Sequence, residues 1–569
     1  MKRRREIVTA VLSDPLLQGK IREYTLFGIR EEKLLAQARV NLRAIVAEFD
    51  ARWIPYWEWV LRHLFRRLFK DIVYEARELE AIKRVSEKMP FVILPSHRSH
   101  ADYLIFAYLL YRASIPLPYV AAGENMNFWP LGFFFRRSGA FFIRRHFRDD
   151  KLYSAVLAAY IRMLLKEKIS LEFFLEGGRS RTGKMLMPRY GLLSIVTEAY
   201  RMGVCDDIAL IPVNISYERV LEEDTLIGEM RGERKKRESL LDLLKSLRYL
   251  RGNGHNVYIK VGQPLFVKDY LKNRKDGEPL PVRLAHELAR AIDKLTVVTP
   301  VSLGAAALLG LHWECFTLDQ VEEVISSFLH YLKAIDCPLA PSLDERTAIP
   351  PILWKDFAQR GYLLPVRDLQ GNMTIVREKR IHLEYYKNTI MGHFIPICLI
   401  SLLFFVNEKE MKEEREFLKW IFRREFLFPE DTENVWAFAF DYLNRNGGAK
   451  WFFASLMESY LTAYWLTFTY VCTKKASFST LEDIYRSFPL FVSALSEKGE
   501  NISLESQCYP YVQNAILILE EEGIITTDKR GTKTVLDRER LCILREKLSL
   551  YRLTLMNTKR GTPVTGNPG

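Results

Sequence analysis

Phe91-Val-Ile-Leu-Pro95-Ser-His97-Arg98-Ser99-His100-Ala-Asp102 is the stretch that decides how the chain is read. Phe91 to Leu94 form a buried β-run closed by Pro95, and an apolar helical run follows from Tyr103 to Tyr111. His97 therefore falls at a strand-to-helix corner. Five positions along a helix rotate a side chain by about 140°, so His97 and Asp102 would not share a face of one continuous helix. His97 lies outside it, in the turn. From there its imidazole can fold back on Asp102, which holds the tautomer that leaves the other nitrogen as a base. Such a pair is suited to taking a proton from a hydroxyl. His100 is a rival base, but it reads as lying within the helix with no carboxylate three or four positions later. In a chain with ten histidines a His-x4-Asp spacing arises by chance about 0.5 times. Alone, it describes a helix-capping histidine equally well.

Three further stretches, in order, give the pair company. They are Gly139-Ala-Phe-Phe-Ile-Arg144-Arg145, then Phe174-Leu-Glu176-Gly177-Gly178-Arg179-Ser180-Arg181-Thr-Gly-Lys184, then Leu210-Ile-Pro212-Val-Asn-Ile-Ser216-Tyr217-Glu218. Around them short β-type runs alternate with helical ones. Strands are expected at residues 91–94, 117–121, 140–143, 171–175, 208–215 and 256–261, with helices between them, including 150–167 and 191–202. This alternation predicts an α/β domain, a central mixed sheet flanked by helices. The motifs fall at strand ends or on the loops just after them, where such a sheet presents its crevice.

Group transfer to a hydroxyl needs a base, a polar clamp on the acceptor, and donors for a developing oxyanion. His97 with Asp102 supplies the first. Arg179 and Arg181 flank Ser180 in a glycine-rich loop and point alike if the loop is extended; planar guanidiniums suit a phosphate dianion. Gly177 and Gly178 let the backbone approach a ligand and expose N–H groups. Glu176 could bond the acceptor's hydroxyls, or fix Arg179 or the loop. Arg144 and Arg145, at a strand end, form a second candidate clamp, and Pro212 reads as structural. No Gly-x-Ser-x-Gly elbow precedes a helix, and Ser99 is flanked by His100 rather than glycine, which leaves a serine-nucleophile route with little support.

Together the four stretches resemble the four blocks of the glycerolipid acyltransferases, and more narrowly the PlsB-type glycerol-3-phosphate acyltransferases and their dihydroxyacetone-phosphate acyltransferase relatives. The resemblance implies that His97 and Asp102 are catalytic. It implies that the block Glu176, Gly177, Gly178, Arg179, Ser180, Arg181 binds the acceptor phosphate. Arg145, with Arg144 beside it, would contribute to acceptor binding, and Pro212 matches the fourth block. The implied activity is transfer of a fatty acyl group from acyl-CoA or acyl-carrier protein to the sn-1 hydroxyl of glycerol 3-phosphate, with no metal and no cofactor beyond the acyl donor. Dihydroxyacetone phosphate is the alternative acceptor, and a catalytically silent lipid-binding module the other reading. Weaker likeness extends to Gly262-Gln-Pro-Leu265 and to Leu383-Glu-Tyr-Tyr-Lys-Asn388. The N-terminal region is shorter than in the longer bacterial and mitochondrial members.

At 569 residues the chain is too long for one core. Helices are expected over 1–88, the α/β domain over 89–300, a mainly helical region over 301–556 and a disordered tail over 557–569. The helical region ends in a helix plus hairpin with a winged-helix outline, read as a packing module rather than a nucleic-acid reader. Net charge is +13, which favours anionic partners such as phosphorylated metabolites or an anionic membrane surface. The seven cysteines show no C-x-x-C spacing, so a disulfide framework or zinc site is not expected and a reducing compartment is. No signal peptide is visible. The run Ile390–Val406 is short for a membrane span and reads as a buried helix. Trp53 to Lys70 carries aromatics and leucines on one side and Arg62, Arg66, Arg67 and Lys70 around the other. That pattern fits a helix lying on lipid or one packed on the next domain. The expected location is peripheral, on the cytoplasmic face of the inner membrane. Asn125–Arg137 suits an acyl-chain groove or a core helix, and the basic run 231–251 a phosphate-binding patch or a solvated face.

Overall fold

Eight strands of the computed structural model form one sheet: β1 (Phe69–Val73), β2 (Phe91–Pro95), β3 (Tyr119–Gly123), β4 (Ala140–Ile143), β5 (Leu171–Glu172), β6 (Ala209–Tyr217), β7 (His255–Val261) and β8 (Leu265–Phe266). The structure describes residues 4–129, 131–144, 150–233, 254–272, 279–311, 313–344, 351–367, 369, 371–406, 411–429, 433–474, 477–478 and 480–561. The strand order is β1-β7-β6-β2-β5-β3-β4, with β8 added on β6. β1 runs parallel to β7, β2 to β5 and β6, and β3 to β4 and β5, while β8 is antiparallel to β6. The mixed α/β sheet expected from the alternating runs is therefore present. Strands β2 and β6 are buried along their whole length, which is why they read as unbroken apolar runs rather than as alternation.

Two elements of the sheet were not anticipated, the two-residue β8 and, more consequentially, β1. The region 1–88, expected to be helical, contributes β1, because Phe69-Lys-Asp-Ile-Val finds its backbone partners on β7, about 185 positions later. No local pattern signals such a pairing. β5 is shorter than the expected 171–175, although the Phe173 amide still donates to the Ile93 carbonyl at 3.2 Å.

Two compact units divide the chain. The first comprises Met1–Arg179, Pro188–Ile215 and Leu250–Leu295, and holds the sheet. In it the helices Pro15–Leu26 and Glu31–Ile45 pack on the helix Lys151–Lys166, where the buried Arg162 donates from Nε to Asp14 at 2.8 Å. The helix Ile54–Leu68 buries Ile54, Leu61, Phe65 and Leu68 and leaves Tyr56, Trp59, Arg66 and Arg67 exposed.

The second unit comprises Ser180–Met187, Ser216–Tyr249 and Thr296–Gly569. It is mainly helical, around Pro300–Leu311, Arg380–Thr389, Met391–Val406, Glu458–Cys472 and Tyr509–Glu521. This region, expected to be mainly helical, also holds short strands. Phe316–Thr317, Leu363–Pro365 and Asn372–Ile375 make a small sheet, and Ser477–Phe478 joins the hairpin Ile525–Thr527/Lys533–Val535. These strands are two to four residues long, too short to show a period. The helix Met391–Val406 is mostly buried. Among the described residues no single helix is long and apolar enough to cross a membrane; only the pair Arg377–Thr389 and Met391–Phe405, bent by 95°, passes that test together. The helix Arg538–Gly561 includes the start of the expected disordered tail, and residues 562–569 lie outside the described residues. So does most of the basic run 231–251, from residue 234 on.

Candidate active site

The corner after β2 is built by hydrogen bonds that leave little choice for His97. Past Pro95 the Ser96 amide donates to the Val213 carbonyl at 2.9 Å, and the Ser96 hydroxyl accepts from the Ile215 amide at 3.0 Å. That pins the turn to β6. Asp102 opens the helix Asp102–Arg112 and is fully buried. Its Oδ2 accepts from the Arg98 amide at 2.7 Å and the Ser99 amide at 2.9 Å, and lies 3.1 Å from His97 Nδ1. One carboxylate thus organises the turn, sits favourably in the first helical turn, and faces the imidazole. With Nδ1 turned to Asp102, Nε2 is the nitrogen presented as a base. The His97 side chain is 13% exposed, so it is supported yet within reach of a ligand. His100, expected inside the helix, sits in the turn before it, with its ring 6.4 Å from that of His97.

Glu176 comes to the same corner. Its buried carboxylate accepts from the His97 amide at 2.7 Å and from Arg98 Nη1 at 3.3 Å. The sequence offered it the acceptor's hydroxyls, Arg179 or its own loop; the His97 turn and Arg98 are the partners it takes here. Phe174 stacks on the imidazole, with ring centroids 3.8 Å apart and planes 15° off parallel. Arg98, only 4% exposed, and Phe174 are the participants that motif reading passed over. Asp293, on the helix Leu280–Lys294, is another: burial pushes its carboxyl up to about 6, with the Arg98 charge opposing and the Glu176 charge adding.

The remaining predicted residues are placed as follows. Gly177, with φ +65°, makes the turn after Glu176, where a Cβ would overlap the Arg189 side chain; its amide donates to the Phe174 carbonyl at 3.0 Å. Gly178 is exposed and has open space around it. Arg179 is the last residue of the first unit in this segment and Ser180 the first of the second. Arg181 is ion-paired to Glu229 at 2.6 Å, within the second unit, and is 44% exposed. Arg144 is engaged by Asp150 at 3.0 Å and lies over the Tyr153 ring at 4.5 Å; Arg145 lies outside the described residues. Pro212 is buried in β6, paired with Leu94, and its carbonyl accepts from the Gly262 amide at 2.9 Å. Its structural reading fits that position. Among the described residues there is no cluster of His, Cys, Asp and Glu able to hold a metal ion.

A second carboxyl lies behind the dyad. Glu172 on β5 is fully buried, with neither oxygen hydrogen-bonded among the described residues. Burial, and then the negative charge of Asp102, push it from 4.5 up to about 8. Between those values the folded chain keeps a proton that the unfolded chain has lost, so stability falls as pH rises from about 5 to about 8. Glu172→Gln is expected to match the parent in denaturant midpoint at pH 5.5 and to exceed it clearly at pH 8.5. Parallel pH profiles for the two proteins would show that Glu172 does not hold the proton.

Fold and corner together define an acyltransferase domain, and residues 75–216 match the acyltransferase family. Residues 227–528, more than half of the chain, match the glycerol-3-phosphate acyltransferase C-terminal region. The chain belongs to the glycerol-3-phosphate acyltransferase family, as the four motifs implied. A glycerol-3-phosphate acyltransferase of Pseudomonas paraeruginosa is 31% identical over 431 residues, covering 73% of this chain and 51% of the relative. One from Aeromonas hydrophila is 33% identical over 390 residues, covering 66% and 48%. The chain thus spans about half the length of the curated relatives it matches. A crystal structure of the 1-acyl-sn-glycerophosphate acyltransferase PlsC from Thermotoga maritima aligns over 51% of this chain and 94% of its own, with 16% identity and a TM-score of 0.27.

Proposed function

We propose that the chain transfers a fatty acyl group from acyl-CoA or acyl-carrier protein to the sn-1 hydroxyl of glycerol 3-phosphate. The observation that carries this reading is His97 Nδ1 at 3.1 Å from a buried Asp102 whose other bonds hold the turn. Nε2 takes the hydroxyl proton, the oxygen attacks the thioester carbonyl, and a tetrahedral oxyanion forms. Collapse breaks the C–S bond; the imidazolium proton goes to the departing sulfur, and ester and thiol leave. His97 ends neutral, ready for the next acceptor. The segment Glu176–Arg181 binds the acceptor's phosphate, with the exposed Gly177 and Gly178 letting its backbone come close. Arg144 and Arg145 are the second place for acceptor contacts.

The purified chain, given glycerol 3-phosphate and dihydroxyacetone phosphate in turn with palmitoyl-CoA, is expected to form 1-acyl-glycerol 3-phosphate as the main product. A preference for dihydroxyacetone phosphate would move it to the other branch of the family. Thioester binding without any transfer would support a silent lipid-binding module.

The acyl product is amphiphilic, and one face of the first unit suits a lipid surface. Trp129 is 86% and Trp59 57% exposed, and Tyr56, Phe128 and Phe133 are exposed as well. The Trp53 ring lies 5.4 Å from Phe134, which ties the helix Ile54–Leu68 to the segment Leu131–Arg137. Arg66, Arg67 and Lys70 are exposed along the same stretch. Tryptophan with arginine and lysine is the make-up of an interfacial surface that meets anionic headgroups. We place this face on the membrane, peripherally and from the cytoplasmic side. In co-sedimentation with phosphatidylglycerol vesicles, Trp59→Ser/Trp129→Ser is expected to bind at least tenfold more weakly than the parent; equal binding would put the contact on another face.

A further inference from the structure

Lys184 ends the glycine-rich motif and is used by no step above. Its side chain is 7% exposed and ion-paired with Glu425, which is fully buried. Three aromatic rings surround the ammonium: Tyr460 and Tyr511 at 4.5 Å and Phe426 at 4.9 Å from their centroids. Glu425 also accepts from Asn514 at 2.9 Å and Tyr464 at 3.1 Å. A buried lysine is costly unless its charge is matched, and here both an anion and ring faces match it. All of these groups belong to the second unit.

The turn before Lys184 is tied down as closely. The Ser180 hydroxyl donates to the Lys184 carbonyl at 2.6 Å and accepts from the Gly183 amide at 3.1 Å. Asn388 donates from Nδ2 to the Thr182 carbonyl at 2.9 Å. Gly183 has φ +90°, and a Cβ there would overlap the carbonyl oxygen of Tyr385. The helix Arg380–Thr389 thus presses its backbone onto the turn. Arg181, the exposed arginine of the motif, is carried between these fixed points.

We infer that Lys184 is a positioning residue: held in its aromatic and carboxylate cage, it fixes the turn 180–184 and so sets where Arg181 meets the acceptor's phosphate. The inference rests on the reading of the Glu176–Arg181 segment as the phosphate binder. It gives a part in acceptor affinity to a residue that touches neither substrate nor the reacting atoms. Uniform binding is what such a residue governs, so KM for the acceptor should move and the donor's should not.

The test compares full-length Lys184→Met, Lys184→Met/Glu425→Gln, Asn388→Ala and Arg181→Ala with the parent. KM for glycerol 3-phosphate and for palmitoyl-CoA, and kcat, are measured for each. The double variant removes both charges together, so no buried carboxylate is left without its partner. Asn388→Ala loosens the turn through Thr182 without changing charge. The expected result is an acceptor KM raised about tenfold in the Lys184 variants and at least threefold in Asn388→Ala, with the donor KM within twofold of the parent. A purely structural lysine would lower kcat per total protein and leave the acceptor KM unmoved, which overturns the inference. If that happens while Arg181→Ala raises the acceptor KM, the phosphate reading stands and only the positioning role fails. If Arg181→Ala also leaves it unmoved, the phosphate reading fails too.

Discussion

His97→Ala is expected to lower acyl transfer by about 10³-fold while leaving the unfolding transition near that of the parent. Positioned general bases contribute about 10² to 10⁴ to rate, and no other group stands where His97 Nε2 does. The His100 ring lies 6.4 Å from that of His97, in the turn before the helix. Asp102→Asn should cost a similar factor in rate, since an amide cannot hold the imidazole as its carboxylate does. Asp102 Oδ2 also accepts the Arg98 and Ser99 amides, so this variant should lose stability as well. Initial rates on protein shown to be folded by circular dichroism check both. Near-parental turnover in either variant would remove the proposed base.

Glu176→Ala should be the most destabilising change at the corner. It strips the buried Arg98 guanidinium of its ion pair and the His97 amide of its acceptor in one step. Removing one partner of a buried pair costs about 3–5 kcal/mol, because the other charge is left in a poor environment. A clear fall in denaturant midpoint is expected, with a milder fall for Glu176→Gln, which keeps an acceptor oxygen. The double variant Arg98→Met/Glu176→Gln should recover much of the loss, since no charge then remains to be compensated. An alanine variant as stable as the parent would mean that the glutamate serves the ligand alone.

The parts of the site that were legible in the sequence share a local cause. A buried apolar strand, a proline and an apolar helical run bracket His97 and Asp102 within a dozen residues, so their meeting follows from chain direction alone. The glycine pair after Glu176 was legible for the same reason: positive φ at Gly177 is a local demand. What escaped depends on distant partners. Arg98 reads as one of many arginines until Glu176, 78 positions on, is brought beside it. Arg181 looked like a free clamp beside Arg179, because nothing near it in sequence announces Glu229. Strand β1 looked like the end of a basic helix, because its pairing with β7 is a tertiary choice that overrides the local run. Lys184 was quoted as the last letter of a motif; only the fold shows it caged by rings drawn from residues 426, 460 and 511.

The role of the His97 imidazole is tested most directly by a structure of the chain with glycerol 3-phosphate bound. The sn-1 hydroxyl is predicted to lie within about 3.2 Å of His97 Nε2, with Asp102 still on Nδ1. A bound acceptor that is turned over yet keeps its hydroxyls beyond hydrogen-bond reach of both imidazole nitrogens would contradict the account.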